Sequence, residues 1–207
     1  MNYQKLLDEL LEKLKDKNKI PKLLLHACCG PCSSYVLEYL SNFFEITVYY
    51  YNPNIYPESE YYRRLEEAKK FISSFPTKNK VNFVEDEYDS NKFYSSIRGL
   101  EKLGERSERC YKCYEFRMKN AAKYASINNF DYFTTTLSIS PYKNADWINE
   151  IGMILEKEYN IKYLFSDFKK KNGYKRSLEL SKEYNLYRQD YCGCVYSKQE
   201  KEVKYNI

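Results

Sequence analysis

Seven cysteines fall into three tight groups, Cys28-Cys29-x-x-Cys32, Cys110-x-x-Cys113 and Cys192-x-Cys194. Two thiolates separated by two residues reach the same side of a turn, so such a pair can chelate one metal ion. One pair alone could equally be a structural zinc hairpin or two core thiols; three groups together argue for metal binding or redox chemistry. Zinc takes four ligands in a closed cage and an iron-sulfur cluster takes four thiolates, so either leaves three cysteines over. A helix start beside Cys28 to Cys32, and Arg106 and Arg109 beside Cys110, lower thiolate pKa values, which suits ligands and reactive thiols alike. The third group differs. A disulfide across one residue closes a small, strained and readily reduced ring that Gly193 permits; two exposed thiols or two extra ligands are the alternatives. The single histidine, His26, lies on an apolar strand and reads as a buried, hydrogen-bonded side chain.

These residues must be held by the elements between them. KLLLHA after Pro21 is a buried strand that runs straight into Cys28 and a helix opening at Ser33-Ser34. Further strands are expected over Ile46 to Asn52, Val81 to Val84, Asp131 to Leu137 and Ile161 to Phe165. Between them lie helical patterns with Tyr62, Leu65, Ala68, Ile72 and Phe75 inward, a short stretch near Asn91 to Leu100, and a long helix from about Arg109 burying Tyr114, Met118, Ala121, Ala122 and Ala125. Asn144 caps a helix with Trp147, Ile148, Ile151, Ile154 and Leu155 inward, after a Ser138 to Lys143 loop. Strands alternating with helices predict an α/β fold, a mainly parallel sheet covered on both faces. Ligands then sit at the carboxyl ends of the strands, where Cys28 to Cys32, Asn52 to Tyr56 and Leu137 to Lys143 fall. No linker or repeat divides the chain, so residues 1–207 read as one domain. Residues 1–19 read as an N-terminal packing helix built on Leu6, Leu7, Leu10, Leu11 and Leu14 and ending over Lys15 to Lys19, and residues 166–207 as a basic C-terminal segment containing Cys-Gly-Cys.

Composition narrows the function classes. With 34 Lys and Arg against 29 Asp and Glu, 43% hydrophobic residues, 6 Gly and 6 Pro, the chain is mildly basic and neither collagenous nor disordered. One histidine excludes two-histidine metal sites. The N-terminus lacks the apolar core of a signal peptide and no segment is long enough to cross a bilayer, so a cytoplasmic protein without a membrane partner is expected. In that compartment seven thiols are not a disulfide framework.

The blocks LLLHACCGPCSSY, YYYNPNIYP, ERCYKCYEFRM, FTTTLSISPYKN and DFKKKNGYKRSLELSKEYNLYRQDYCGC resemble the cobalamin-independent epoxyqueuosine reductases, the QueH family, over about Lys22 to Ser197. The resemblance implies a PP-loop ATPase-like (HUP-like) fold and a tRNA-modifying oxidoreductase that converts epoxyqueuosine to queuosine at the wobble position of the anticodon, the last step of queuosine biosynthesis. Cys28-Cys29-Gly30-Pro31-Cys32 stands where an ATP-binding PP-loop has SGGxDS, which argues against ATP. The resemblance further implies a 4Fe-4S cluster on Cys28, Cys29, Cys110 and Cys113 and a redox-active pair at Cys192 and Cys194. It leaves Cys32 spare; with a carboxylate, Asp89 or Asp167, Cys32 is the candidate for a second metal, iron or zinc. The electron donor is unknown.

A tRNA partner also suits the seven Lys and Arg between Ser166 and Arg188, facing three carboxylates, with Tyr174, Tyr184, Tyr187 and Tyr191 available to stack on bases. A solvated helix face is the plainer reading of such a run. Two other functions fit the motifs: a zinc-stabilised RNA-binding module, or a PP-loop-like iron-sulfur tRNA thiolase. The missing SGGxDS speaks against the thiolase and the strained Cys-Gly-Cys against the module.

Overall fold

The protein is described from a computed structural model covering residues 1–15 and 19–205. Five strands, β1 (Lys22–His26), β2 (Glu45–Tyr50), β3 (Val81–Glu85), β4 (Tyr132–Thr135) and β5 (Lys162–Tyr163), form one all-parallel sheet in the order β3-β2-β1-β4-β5. Leu23, Leu24 and Leu25 are fully buried, as a central parallel strand with both faces covered requires. The chain turns one way from β1 to β3 and the other way through β4 and β5. The crevice between β1 and β4 is therefore the switch point at which such sheets bind ligands.

One face is covered by α1 (Tyr3–Lys15), α2 (Gly30–Leu40), α3 (Glu58–Ser74) and α7 (Gly173–Glu183), whose Leu11, Leu37, Phe71 and Leu180 share a core with Leu23 and Leu25. On the other face α5 (Glu108–Ile127) and α6 (Ala145–Tyr159) bury Met118, Ala122, Ile148 and Leu155 against Leu24 and Phe133. The short α4 (Ser90–Ser96) and terminal α8 (Val195–Tyr205) flank the sheet's ligand edge, where Phe93 and Ile97 pack beside Cys113 and Cys194.

Several expectations shift. Tyr61, not Tyr62, is the buried tyrosine of α3, and Ile154 of α6 is exposed; each lies one residue out of phase with the buried stripe. The stretch expected near Asn91 to Leu100 is helical only to Ser96, and part of the Ser138 to Lys143 loop belongs to a 3-10 turn over Thr136–Ile139. The fifth strand keeps only Lys162–Tyr163. Of the expected end of α1, residues 16–18 lie outside the described residues. Asn144 caps α6 as expected, accepting from the amides of Asp146 and Trp147.

Candidate active site

Strand β1 delivers the chain into Cys28 at the switch point, and Cys29 becomes the N-cap of α2, its sulfur accepting the amide of Cys32 at 3.3 Å. Sulfur thus fills the role that serine or aspartate oxygen usually fills, and the positive end of the helix faces all three thiols. Cys28 and Cys29 are buried, and the sulfurs of Cys28, Cys29 and Cys32 all lie within 4.8 Å of one another. Edges of that order suit tetrahedral metal coordination, since a metal–sulfur bond of about 2.3 Å separates two ligand sulfurs by about 3.8 Å. The triad can hold a metal.

The three thiols are not equivalent. Hydrogen bonds from Cys29 and Cys32, helped by Lys143 and Arg117, hold Cys28 well below the ordinary thiol range. Burial and the donation to Cys28 push Cys29 up to about 12, and donation to Cys28 and Cys29 raises Cys32 as well. Cys28 is accordingly the most acidic thiol of the set, with the Thr136 hydroxyl 3.9 Å from its sulfur. Gln189 donates to Cys29 at 3.2 Å.

Across a cavity of about 420 Å³, the first turns of α5 present the second group. Cys110 lines the cavity with Cys28, Cys32 and Cys192, and burial raises both Cys110 and its neighbour Cys113, the latter to about 12. The third group closes the wall. Gly193 has φ +132°, a conformation L side chains rarely adopt, and an added Cβ would meet the Arg64 guanidinium at 3.1 Å. The loop is pinned on three sides: the Tyr56 amide donates to the Gly193 carbonyl at 2.7 Å, the Gly193 amide to Ser197 Oγ at 3.3 Å, and Arg64 to the Cys192 carbonyl at 3.3 Å. All seven cysteines are free thiols here.

Lys143, half-buried in the same cavity, makes no ion pair among the described residues. Burial opposes its charge, but the facing sulfurs of Cys192 and Cys28 outweigh that and raise its pKa. His26 is fully buried, with Nδ1 2.8 Å from Thr135 Oγ1 and Nε2 3.2 Å from the Tyr51 carbonyl. A carbonyl only accepts, so Nε2 carries the proton, and burial lowers the ring's pKa to about 4. It is the structural histidine expected.

Residues 23–200 match the family described as Epoxyqueuosine reductase QueH. The chain belongs to the QueH family. Two curated QueH proteins, both named Epoxyqueuosine reductase QueH, illustrate the likeness. That of Streptococcus pyogenes serotype M1 is 45% identical over 95% of this chain and 78% of its own, and that of Staphylococcus epidermidis is 42% identical over 99% and 88%. Among solved structures, a predicted subunit of tRNA methyltransferase from Methanocaldococcus jannaschii overlaps at a TM-score of 0.44 and 16% identity, covering 78% of this chain and 76% of that one, too loose a likeness to carry an inference.

In this QueH chain the cap geometry of α2 gathers Cys32, the thiol that the expected ligand set leaves over, with Cys28 and Cys29. The two carboxylates suggested as its partners are engaged elsewhere. Asp89 caps α4 through the Asn91 amide at 3.0 Å, Asp167 pairs with Lys169 at 2.6 Å, and no carboxylate joins the three sulfurs among the described residues. Much of the basic segment is likewise paired: Lys171 with Asp8 at 2.6 Å, and Arg176 with Glu38 through three contacts between 2.6 and 3.2 Å. Tyr184 packs on Phe71 and Phe75 instead of offering a free face, and Tyr187 lies under Arg63. Sequence reading passed over Lys143, Gln189 and Arg117. Arg117 carried one signal, standing four residues after Cys113 and so on the same helix face, and Lys143 another, ending the loop expected at the ligand edge. No described helix is long and apolar enough to cross a membrane.

Proposed function

We propose that this chain reduces epoxyqueuosine to queuosine in tRNA, as its curated relatives are named to do, at the wobble position of the anticodon. The observation that carries the reading is the cavity of about 420 Å³ at the switch point, large enough for an extruded nucleoside and walled by Cys28, Cys32, Cys110, Cys192 and Lys143. Turning an epoxide into an alkene takes two electrons and two protons, and the oxygen leaves as water. Cys192 and Cys194 as a dithiol can supply both: two S–H bonds break, one S–S bond forms, and two electrons and two protons pass on. Lys143 holds a proton at Nζ beside the sulfurs and hydrogen-bonds the departing oxygen, while the buried walls of the site exclude water. The sulfurs of Cys28, Cys29, Cys110 and Cys113 are the ligands we assign to a 4Fe-4S cluster, with Cys32 available to a second ion, iron or zinc. Such a centre would supply electrons one at a time. Neither ATP nor cobalamin has a part in this scheme, the electron donor is unassigned, and a tRNA substrate sets the reaction in the cytoplasm.

The test is direct. Reduced, anaerobically purified protein incubated with tRNA carrying epoxyqueuosine should yield queuosine in digested nucleosides, and no product with full tRNA binding would overturn the reading.

For the RNA itself, the cavity rim is the better candidate than the paired segment near Arg176. Tyr142 is 66% exposed with the Arg106 guanidinium 5.7 Å from its ring centroid, and Arg188 stands on the same rim. An exposed ring beside cations suits an unpaired base and its phosphates. Replacing Arg106 and Arg188 with Ala should flatten the log-log salt dependence of tRNA binding by about one unit per lost contact. An unchanged slope would move the RNA surface away from this rim.

A further inference from the structure

Arg64, Arg109 and Arg117 are each 3% exposed or less. A guanidinium cannot shed its proton in a protein, so each buried one needs an anion. Arg64 meets Glu60 at 2.7 Å and Arg109 meets Glu200 at 3.0 Å, but Arg117 pairs with no carboxylate among the described residues. Its Nε donates to the Cys113 carbonyl at 3.3 Å and its Nη1 to Asn52 Oδ1 at 3.3 Å, while Nη2 has no hydrogen-bond partner among the described residues. Arg64 also leaves Nη2 unpartnered, yet its charge is already met by Glu60. The ionisable groups facing Arg117 are sulfurs, a phenol and a neutral imidazole: Cys113, Cys192, Cys28, Tyr114 and His26.

The same side chain is a strut. Asn52, which accepts from Arg117, donates its Nδ2 to the Ala27 carbonyl at 2.8 Å, one residue before Cys28. The line Cys113–Arg117–Asn52–Ala27 therefore joins the two cysteine-bearing segments from opposite sides of the cavity.

We propose that Arg117 is the fixed counter-charge of the sulfur site, a positioning residue whose guanidinium offsets the negative charge that Cys28 and Cys113 carry as metal ligands and so sets how tightly the site holds a thiophilic metal. The proposal rests on the metal-binding reading above. When thiols give up protons to a divalent ion, the site gains net negative charge, and a buried cation that pairs with no carboxylate among the described residues favours that state.

The probe is Co²⁺, titrated into the reduced, metal-free full chain and followed by its sulfur-to-cobalt absorption, with Zn²⁺ in competition. Arg117→Gln should weaken binding by about 10–100-fold, the size of effect that partners of metal ligands generally have. Arg117→Lys, which keeps the charge but not the fork, should recover most of it. Equal binding by Arg117→Gln and wild type overturns the proposal alone, as does a lysine variant no better than the glutamine one. Wild-type protein that takes up no Co²⁺ overturns it together with the metal reading. Should Arg117→Gln fail to fold, Asn52→Asp offers the guanidinium a competing carboxylate and should weaken Co²⁺ in the same direction; undiminished affinity there also overturns it.

Discussion

If the proposed cluster is bound, serine at Cys28, Cys29, Cys110 or Cys113 is expected to remove most of the iron found with the wild-type protein after anaerobic purification. Each variant takes away a donor, so the loss should at least equal the ~10–100-fold cost of disturbing a ligand's partner. Cys29→Ser is the cleanest, because serine is a preferred N-cap and its oxygen can take over the Cys32 amide; helix α2 stays capped while the sulfur is gone. Iron loss in that variant reports ligation and not unfolding. Cys32→Ser should cost a smaller share, that of a second ion. Iron and acid-labile sulfide per chain, with visible absorption, make the measurement. Full iron in both Cys110→Ser and Cys113→Ser would confine the centre to the triad of Cys28, Cys29 and Cys32 and remove α5 from it.

What could be read in advance depended on how local the cause was. Strand β1 and its abrupt exit into Cys28 are written in a continuous apolar run followed by Gly-Pro, and the structure pairs β1 on both sides as that run implies. The grouping of cysteines was legible for the same reason. Helix α8 was not, since Val195–Tyr205 has only a weak apolar stripe and is held by contacts with α4 and α5, such as the Arg109–Glu200 pair. The fate of the basic segment was hidden too: Lys171 and Arg176 find Asp8 and Glu38 more than a hundred residues away, and no pattern within 166–188 announces them. Cys32 joins the triad because one helix turn carries it back over Cys29, a geometry that spacing allows but does not require. Lys143 is the hardest case. A lone lysine in a loop reads as solvated until the fold brings three sulfur-bearing segments around it.

Cys192→Ser and Cys194→Ser are expected to abolish repeated conversion of epoxyqueuosine to queuosine while leaving iron content and tRNA affinity close to wild type. Cys192 lines the cavity and Cys194 stands behind it beside Cys113, joined by a glycine whose positive φ folds the segment back on itself. A ring closed across one residue is strained, which makes the disulfide easy to reduce again and suits a couple that must cycle. The loop's three backbone hydrogen bonds use carbonyls and amides, not sulfur, so serine should not unpin it. Iron, binding and product measured on the same preparations separate the outcomes. Loss of iron would make these cysteines ligands, undiminished turnover would make them bystanders, and a single round of product that then stalls would identify them as the pair that returns electrons to the site.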